Sequence, residues 1–282
     1  MELSISEALF EATRVLQTAG VPESRRDAGS LLAFVIQKDR TFLISHAEEK
    51  LNLNESLEFR KVVERRAAGE PLQYIMGQQD FYGRVFRVTP EVLIPRPETE
   101  LLVEAALELM NGSRFCDVGT GSGCIAVTLL CECPDSYGVG LDVSPGALAV
   151  AKENANAQGV AQRIGFLVSD CFDSLSETTT PFDLIVSNPP YVAADVVGGL
   201  QREVKDHEPM VALTPGKDGL RIIRRLITEA PQFLRKDGQL LLEIGFDQGE
   251  AVSELVSHSE FDLVEIRPDL QGIPRIVILR MR

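Results

Sequence analysis

The chain has 282 residues, of which 44% are hydrophobic and 25% charged, and a formal net charge of -14. That length exceeds the ~100 to 200 residues of a typical domain, so one large or two unequal domains are expected. The acidic balance argues against extended DNA or RNA as a direct partner, since Lys and Arg neutralising phosphate supply most nonspecific nucleic-acid affinity.

Ser4 and Glu7 form a capping box ahead of Ile5, Ala8, Leu9, Ala12, Val15, Leu16 and Ala19, which recur at three-to-four spacing until Gly20. That pattern predicts an amphipathic helix with a glycine stop. Similar patterns predict helices at about 23–37, at about 41–47, and from a cap at Asn54 to Ala68 with Gly69 behind it. Residues 1–72 are therefore expected to form a small helical bundle. Over 73–96 the period shifts toward two, with Phe81, Gly83, Val85, Phe86 and Val88 pointing to a β-hairpin that links the bundle to a domain at 97–282.

From Leu101 onward, helical patterns ending near residues 110, 131, 158 and 234 alternate with β-type runs at 114–118, 137–142, 164–169, 184–187 and 239–244. Alternation of this kind implies right-handed crossovers and a parallel sheet covered on both faces. Two further strands, 261–267 and 275–280, are joined only by a Pro/Gly turn, so the last strand should run antiparallel. The expected class is α/β: a seven-stranded, mostly parallel sheet in the Rossmann-like arrangement of S-adenosylmethionine-dependent methyltransferases, behind the N-terminal helical bundle.

Asp117-Val-Gly-Thr-Gly-Ser-Gly123 leaves a strand and enters a helix, so Gly119, Thr120, Gly121, Ser122 and Gly123 are candidates for holding a ligand against the helix N-terminus. The G-x-G-x-G spacing suits a ligand without a pyrophosphate better than the dinucleotide pattern does. Asp142 ends the next strand, where a carboxylate can accept both ribose hydroxyls of a nucleoside. Asp170 ends the third, where it can accept from an adenine amino group; a helix cap for Asp142 and a turn for Asp170 are the plainer alternatives.

The most specific signal is Asn188-Pro189-Pro190-Tyr191, directly after an apolar strand. Two prolines stiffen the backbone, so the Asn188 carboxamide and the Pro189 carbonyl can stand as two fixed acceptors for the hydrogens of a planar NH2 group. Tyr191 is expected to stack on that group and set its distance from a methyl donor. The plainer alternative is a proline loop packed by Tyr191.

With these motifs in hand, the sequence resembles the peptide chain release factor glutamine N5-methyltransferases, the PrmC/HemK family. The likeness runs through Gln73-Tyr-Ile-Met-Gly77, Phe81-Tyr-Gly83, Val92-Leu-Ile-Pro-Arg-Pro-Glu-Thr-Glu100, the glycine loop, Asn188-Pro-Pro-Tyr191, Glu208-Pro209 and Asp269-Leu-Gln-Gly-Ile-Pro-Arg275. It implies methylation of the glutamine in the Gly-Gly-Gln loop of class I release factors, with the N-terminal bundle helping to dock that partner. It also implies that residues 119–123, Asp142 and Asn188 hold S-adenosyl-L-methionine, which becomes S-adenosyl-L-homocysteine, and that residues 188–191 hold the glutamine. Several family members place a tryptophan after the third-strand Asp, against the adenine; here Cys171 and then Phe172 stand there, and either is the candidate. Since the glycine loop and acidic contacts all lie beyond Leu101, a fragment starting there is expected to bind the cofactor. In Pro95 to Glu100, Thr99 is expected to cap the helix from Leu101 and to help close the cofactor site.

Five cysteines and three scattered histidines lack metal-ligand spacing, so no metal is expected. No apolar run reaches the ~18 residues of a membrane span, and the first ten residues carry Glu2 and Glu7 rather than a signal-peptide pattern. A cytosolic monomer without a membrane partner is the expectation. Two rivals remain: an adenine amino-group methyltransferase acting on nucleic acid, which the charge disfavours, and a non-catalytic binding protein, which the filled motif positions disfavour.

Overall fold

The computed structural model describes residues 3–176 and 178–282; Met1 and Glu2, at the head of the expected bundle, and Glu177 lie outside the described residues. Among the described residues, three helices of the N-terminal third start where a side chain satisfies one of their first free N–H groups. Ser4 Oγ accepts from the Glu7 amide at 3.2 Å and Glu7 Oε2 from the Ser4 amide at 2.7 Å, closing the box ahead of α1 (Ile5–Thr18). Next come α2 (Ser24–Ile36), α3 (Arg40–Ser45) capped by Asp39, α4 (Leu53–Ala67) and α5 (Leu72–Met76). The cap of α4 is Asn52 rather than Asn54, because only Asn52 has a glutamate three residues on to complete the reciprocal pair with Glu55.

Ile5, Leu16, Leu31, Leu32, Phe59 and Val62 are buried together in this unit. Beside them Arg66 is also buried, its Nε 2.7 Å from Asp27 and its Nη1 2.8 Å from Glu203. Glu203 comes from far along the chain: the first unit comprises the residues up to Gly77 together with Gln201–His207, and the second comprises Gln78–Leu200 and Glu208–Arg282.

The hairpin expected as a linker is part of the second unit. Its strands, β1 (Gln78–Phe81) and β2 (Arg84–Arg87), pair antiparallel and bury Phe81 and Phe86 in that unit's core, edge to face at 6.0 Å. Asn154 fastens it, accepting from the Arg87 amide at 2.7 Å and donating to the Arg87 carbonyl at 3.0 Å. Two phenylalanines that must leave water dictate this attachment.

The second unit continues with α6 (Glu100–Leu107), β3 (Arg114–Val118), α7 (Cys124–Glu132), β4 (Tyr137–Asp142), α8 (Pro145–Ala157), β5 (Ile164–Val168) and β6 (Phe182–Ser187). After α9 (Arg202–His207), which belongs to the first unit, follow α10 (Met210–Leu213), α11 (Arg221–Glu229), β7 (Leu234–Glu243), α12 (Gly249–Ser257), β8 (Phe261–Pro268) and β9 (Pro274–Met281). Among the described residues seven strands form one sheet in the order β5-β4-β3-β6-β7-β9-β8, parallel except that β9 runs antiparallel to both neighbours. The antiparallel last strand is as expected, but it inserts between β7 and β8 rather than ending the sheet. Strand β7 begins five residues earlier than the pattern predicts, and α11 ends at Glu229 instead of near 234. Within β7, Asp237 in the left-handed region (φ 61°) and a register shift opposite β6 interrupt the alternation that the sequence pattern relies on.

Both sheet faces are covered. Phe115, Ile125, Leu129 and Leu241 pack on one side, and Cys116, Ile185, Leu240, Ile223 and Val277 on the other. Among the described residues no helix is long and apolar enough to cross a membrane. The strand order reverses between β3 and β6, which opens a crevice beyond their carboxyl ends.

Candidate active site

A cleft lies at that crevice, with about 1220 Å³ of non-protein space including its open mouth, lined entirely from the second unit. Residues 119–122 form one wall. Gly119 (φ 75°) and Gly121 (φ 54°) occupy the left-handed region, and a Cβ on Gly119 would meet nothing within 4 Å. The loop therefore offers bare backbone and open space, the features a close-bound ligand needs. Gly123 does different work: its own Cβ would stand 3.1 Å from Ala151, so it lets α7 and α8 pack.

Asp142 closes β4 and lines the cleft, nearly buried. Its Oδ2 accepts from the Gly121 amide at 2.8 Å and its Oδ1 from the Ser144 amide at 2.9 Å. Burial raises its pKa above the usual carboxylate range, against the pull of those amides. The cap reading for Asp142 fails, since Ser144 caps α8. Under the loop, burial pushes Asp117 up to about 7 although Thr120 donates to it at 2.7 Å.

Three candidate residues follow β5, and two of them reach the cleft. Asp170 lines the cleft, with its carboxylate half-exposed and its Oδ1 accepting from Arg225 at 2.8 Å, so an adenine amino group would have to share this carboxylate with a guanidinium. Phe172 does not line the cleft at all: it is buried, its ring stacked on Phe233 at 5.1 Å. Cys171 is the residue that reaches the cleft, buried and in the left-handed region at φ 49°, with its thiol pushed up to about 12 by burial. A bulky aromatic after the strand turns to the core because that is where its area leaves water, and the smaller Cys171 is left at the wall.

Asn188, Pro189 and Pro190 line the opposite wall, following β6. Asn188 Nδ2 donates to Thr99 Oγ1 at 3.0 Å. Among the described residues no donor reaches Asn188 Oδ1 or the Pro189 carbonyl, so two adjacent acceptors remain for a ligand. Thr99 Oγ1 in turn donates to Glu243 Oε2 at 2.7 Å, and Tyr191 Oη donates to Glu243 Oε1 at 3.3 Å. Thr99 thus does not cap α6: its backbone is helical and its hydroxyl is spent on Glu243.

Tyr191 departs from the stacking role expected of it. It is outside the cleft lining and packs against the core, with its carbonyl taken by Gln248 Nε2 at 3.1 Å. The plainer alternative, a proline loop packed by Tyr191, describes this residue, while Asn188 and Pro189 keep the acceptor arrangement. Glu243 is the residue that sequence reasoning missed. It is 1% exposed and burial pushes it to about 7, against the Thr99 and Tyr191 hydrogen bonds and Arg275. The signal was an acid ending the apolar run Leu240-Leu-Leu-Glu-Ile244, one position past the Ser187–Leu242 pairing of β6 and β7. At the mouth, Arg96 pairs with buried Glu208 at 2.5 Å.

Residues 7–77 match the family model described as PrmC N-terminal domain, and residues 97–203 the one described as methyltransferase small domain. A protein of Cereibacter sphaeroides named release factor glutamine methyltransferase is 46% identical over 276 residues, covering 98% of each chain. The chain belongs to the release factor glutamine methyltransferase family. A second protein of that name, from Koribacter versatilis, is 42% identical over 281 residues with 99% of each chain covered. Of solved structures, the ribosomal protein L11 methylase from Lactobacillus delbrueckii subsp. bulgaricus is 19% identical with a TM-score of 0.52, over 72% of this chain and 90% of that one, a likeness of fold alone. As a member of this family the chain is a methyltransferase with a seven-stranded sheet, in line with the class the sequence implied.

Proposed function

We propose that this methyltransferase transfers a methyl group from S-adenosyl-L-methionine to the side-chain amide nitrogen, N5, of the glutamine in the Gly-Gly-Gln motif of class I release factors. One observation carries the reading: Asn188 and Pro189 both line the cleft, and among the described residues no donor reaches Asn188 Oδ1 or the Pro189 carbonyl. An NH2 group presents two in-plane hydrogens, and two fixed acceptors match it. An amide nitrogen is a poor nucleophile because its lone pair is delocalised, and acceptors placed off the amide plane favour the geometry that frees the pair. As the nitrogen gains positive character these acceptors bind it more tightly than before, which lowers the barrier without a proton being removed first.

The cofactor side also fits. Gly119 and Gly121 leave open space beside bare backbone, and Asp142 offers a carboxylate suited to the two ribose hydroxyls of a nucleoside. Residues 119–122, Asp142, Cys171 and Asn188 would hold S-adenosyl-L-methionine. When bound, that cofactor supplies an electrophilic methyl group on its sulfonium and departs as S-adenosyl-L-homocysteine. In this reading the enzyme works in the cytosol as a monomer, with a protein as its partner.

The test is to incubate the full chain with methyl-labelled cofactor and, in turn, a class I release factor, the same factor with its Gly-Gly-Gln glutamine replaced, duplex DNA and ribosomal RNA. Label in the first alone is the expected result. Label in either nucleic acid and not in the release factor would overturn the reading in favour of an adenine amino-group substrate.

A further inference from the structure

Glu243 is a buried glutamate whose neighbours in β7 and beyond, Leu240, Leu241, Leu242 and Ile244, are all 0% exposed. Packing alone would favour another aliphatic side chain there, because taking a carboxyl group out of water costs free energy unless its hydrogen bonds are replaced. What replaces them are two hydroxyls from separate segments: Thr99 from the turn before α6, on Oε2, and Tyr191 from the loop after β6, on Oε1. Between them these hydroxyls reach both ends of the segment 188–191, since Thr99 is the group that receives the Asn188 amide and Tyr191 is the segment's last residue.

We propose that Glu243 is a positioning residue for methyl transfer, holding both ends of the segment from Asn188 to Tyr191 and, through Thr99, setting which way the Asn188 carboxamide faces. The inference rests on the proposed role of Asn188 as acceptor for the substrate amide. Its logic is one of hydrogen-bond direction. Glu243 Oε2 accepts, so the single hydrogen of the Thr99 hydroxyl is committed to it, and a lone pair is what Thr99 presents to Asn188. Only Nδ2 can answer a lone pair, so Oδ1 is turned to the cleft. Without an acceptor at 243 the Thr99 hydrogen is released and can bond Oδ1 of a flipped carboxamide. The cleft would then meet the substrate NH2 with another NH2, donor against donor.

Three variants of the full chain test this, with kcat, KM for an intact class I release factor and the cofactor Kd measured for each. Glu243→Met keeps the volume and deletes the acceptor; kcat should fall on the order of 10- to 100-fold, as for a misplaced reacting group, while the cofactor Kd stays within about threefold because residues 119–122 and Asp142 are untouched. Glu243→Gln can still accept from Thr99 through its carbonyl oxygen and donate to Tyr191 through its amide, so it should recover most of the lost turnover. Thr99→Val, which cuts the relay at Thr99 while Glu243 keeps its Tyr191 bond, should lower kcat in the same direction and guards against a Glu243→Met protein that does not fold. A merely structural Glu243 would change the melting temperature in these variants and leave kcat of the folded fraction alone.

If Asn188→Ala is impaired but Glu243→Met and Thr99→Val turn over within threefold of wild type, the positioning role is wrong and the acceptor role of Asn188 stands. Failure of Glu243→Gln to do better than Glu243→Met also overturns it. If Asn188→Ala itself is unimpaired, the acceptor reading fails and takes this inference with it.

Discussion

Asn188 and Asp142 line the same cleft but should separate cleanly by experiment, because one is an acceptor toward the substrate and the other a carboxylate on the cofactor side. Asn188→Ala deletes one of two preorganised acceptors, so turnover should drop on the order of 10² to 10³, or ~2.7 to 4 kcal/mol. Calorimetric cofactor affinity should change far less; turnover within tenfold of wild type with cofactor bound would exclude the acceptor role. Asp142→Ala should do the reverse and weaken the cofactor by about 1.5 to 3 kcal/mol for each charge-assisted bond lost, and unchanged calorimetric affinity would put the ribose elsewhere. Asp117 makes a stability prediction. Its folded pKa is raised to about 7 from 3.8, so the stability it contributes is complete below about 4 and is lost as pH rises through about 7. Asp117→Asn should therefore raise the melting temperature at pH 8 relative to wild type and give little gain at pH 5. An equal shift at both pH values would mean that ionisation of this group is not what costs stability.

Among the elements, α4 and α9 are joined by charge. Arg66 on α4 is 7% exposed at its side chain and is shared between Asp27 on α2 and Glu203 on α9. Removing the cation leaves Asp27 buried without its counter-charge, the expensive way to break such a pair. Arg66→Met should cost ~3 to 5 kcal/mol in denaturant unfolding of the first unit. Adding Asp27→Leu should recover part of that loss, since no uncompensated charge then remains at position 27. If the double variant is less stable than the single one, burial of charge is not the dominant cost.

For the molecule as a whole, the division into units changes how a truncation must be designed. A fragment beginning near Leu101 would lack the hairpin that buries Phe81 and Phe86 and the cleft residues Val92, Leu93, Pro95, Arg96 and Thr99. The fragment expected to keep cofactor affinity therefore starts at Gln78. It should bind S-adenosyl-L-methionine by calorimetry about as well as the full chain. If the helical bundle docks the release factor, this fragment should lose far more activity on the intact factor than on a short Gly-Gly-Gln peptide. Equal losses on both would count against docking.

How much of this was legible without coordinates follows the range of the interactions involved. The capping box at Ser4 and Glu7, the strands ending at Val118 and Asp142 and the apolar run before Asn188 are local patterns, written in residues a few positions apart. Their spacing carried the fold class, the glycine loop and the acceptor motif. The ring of Phe172, the engagement of Asp170 by Arg225 and the anchoring of Tyr191 depend on partners 52 to 61 residues away or on competition for the core. No local pattern reports those outcomes. A longer reach still is the bond from Thr99 to Glu243, 144 residues apart. It exists because β6 and β7 pair in parallel and bring Glu243 up beside the Asn188 turn. Register between strands of a parallel sheet is set by crossover packing, which the chain acquires only when the helices close over both faces.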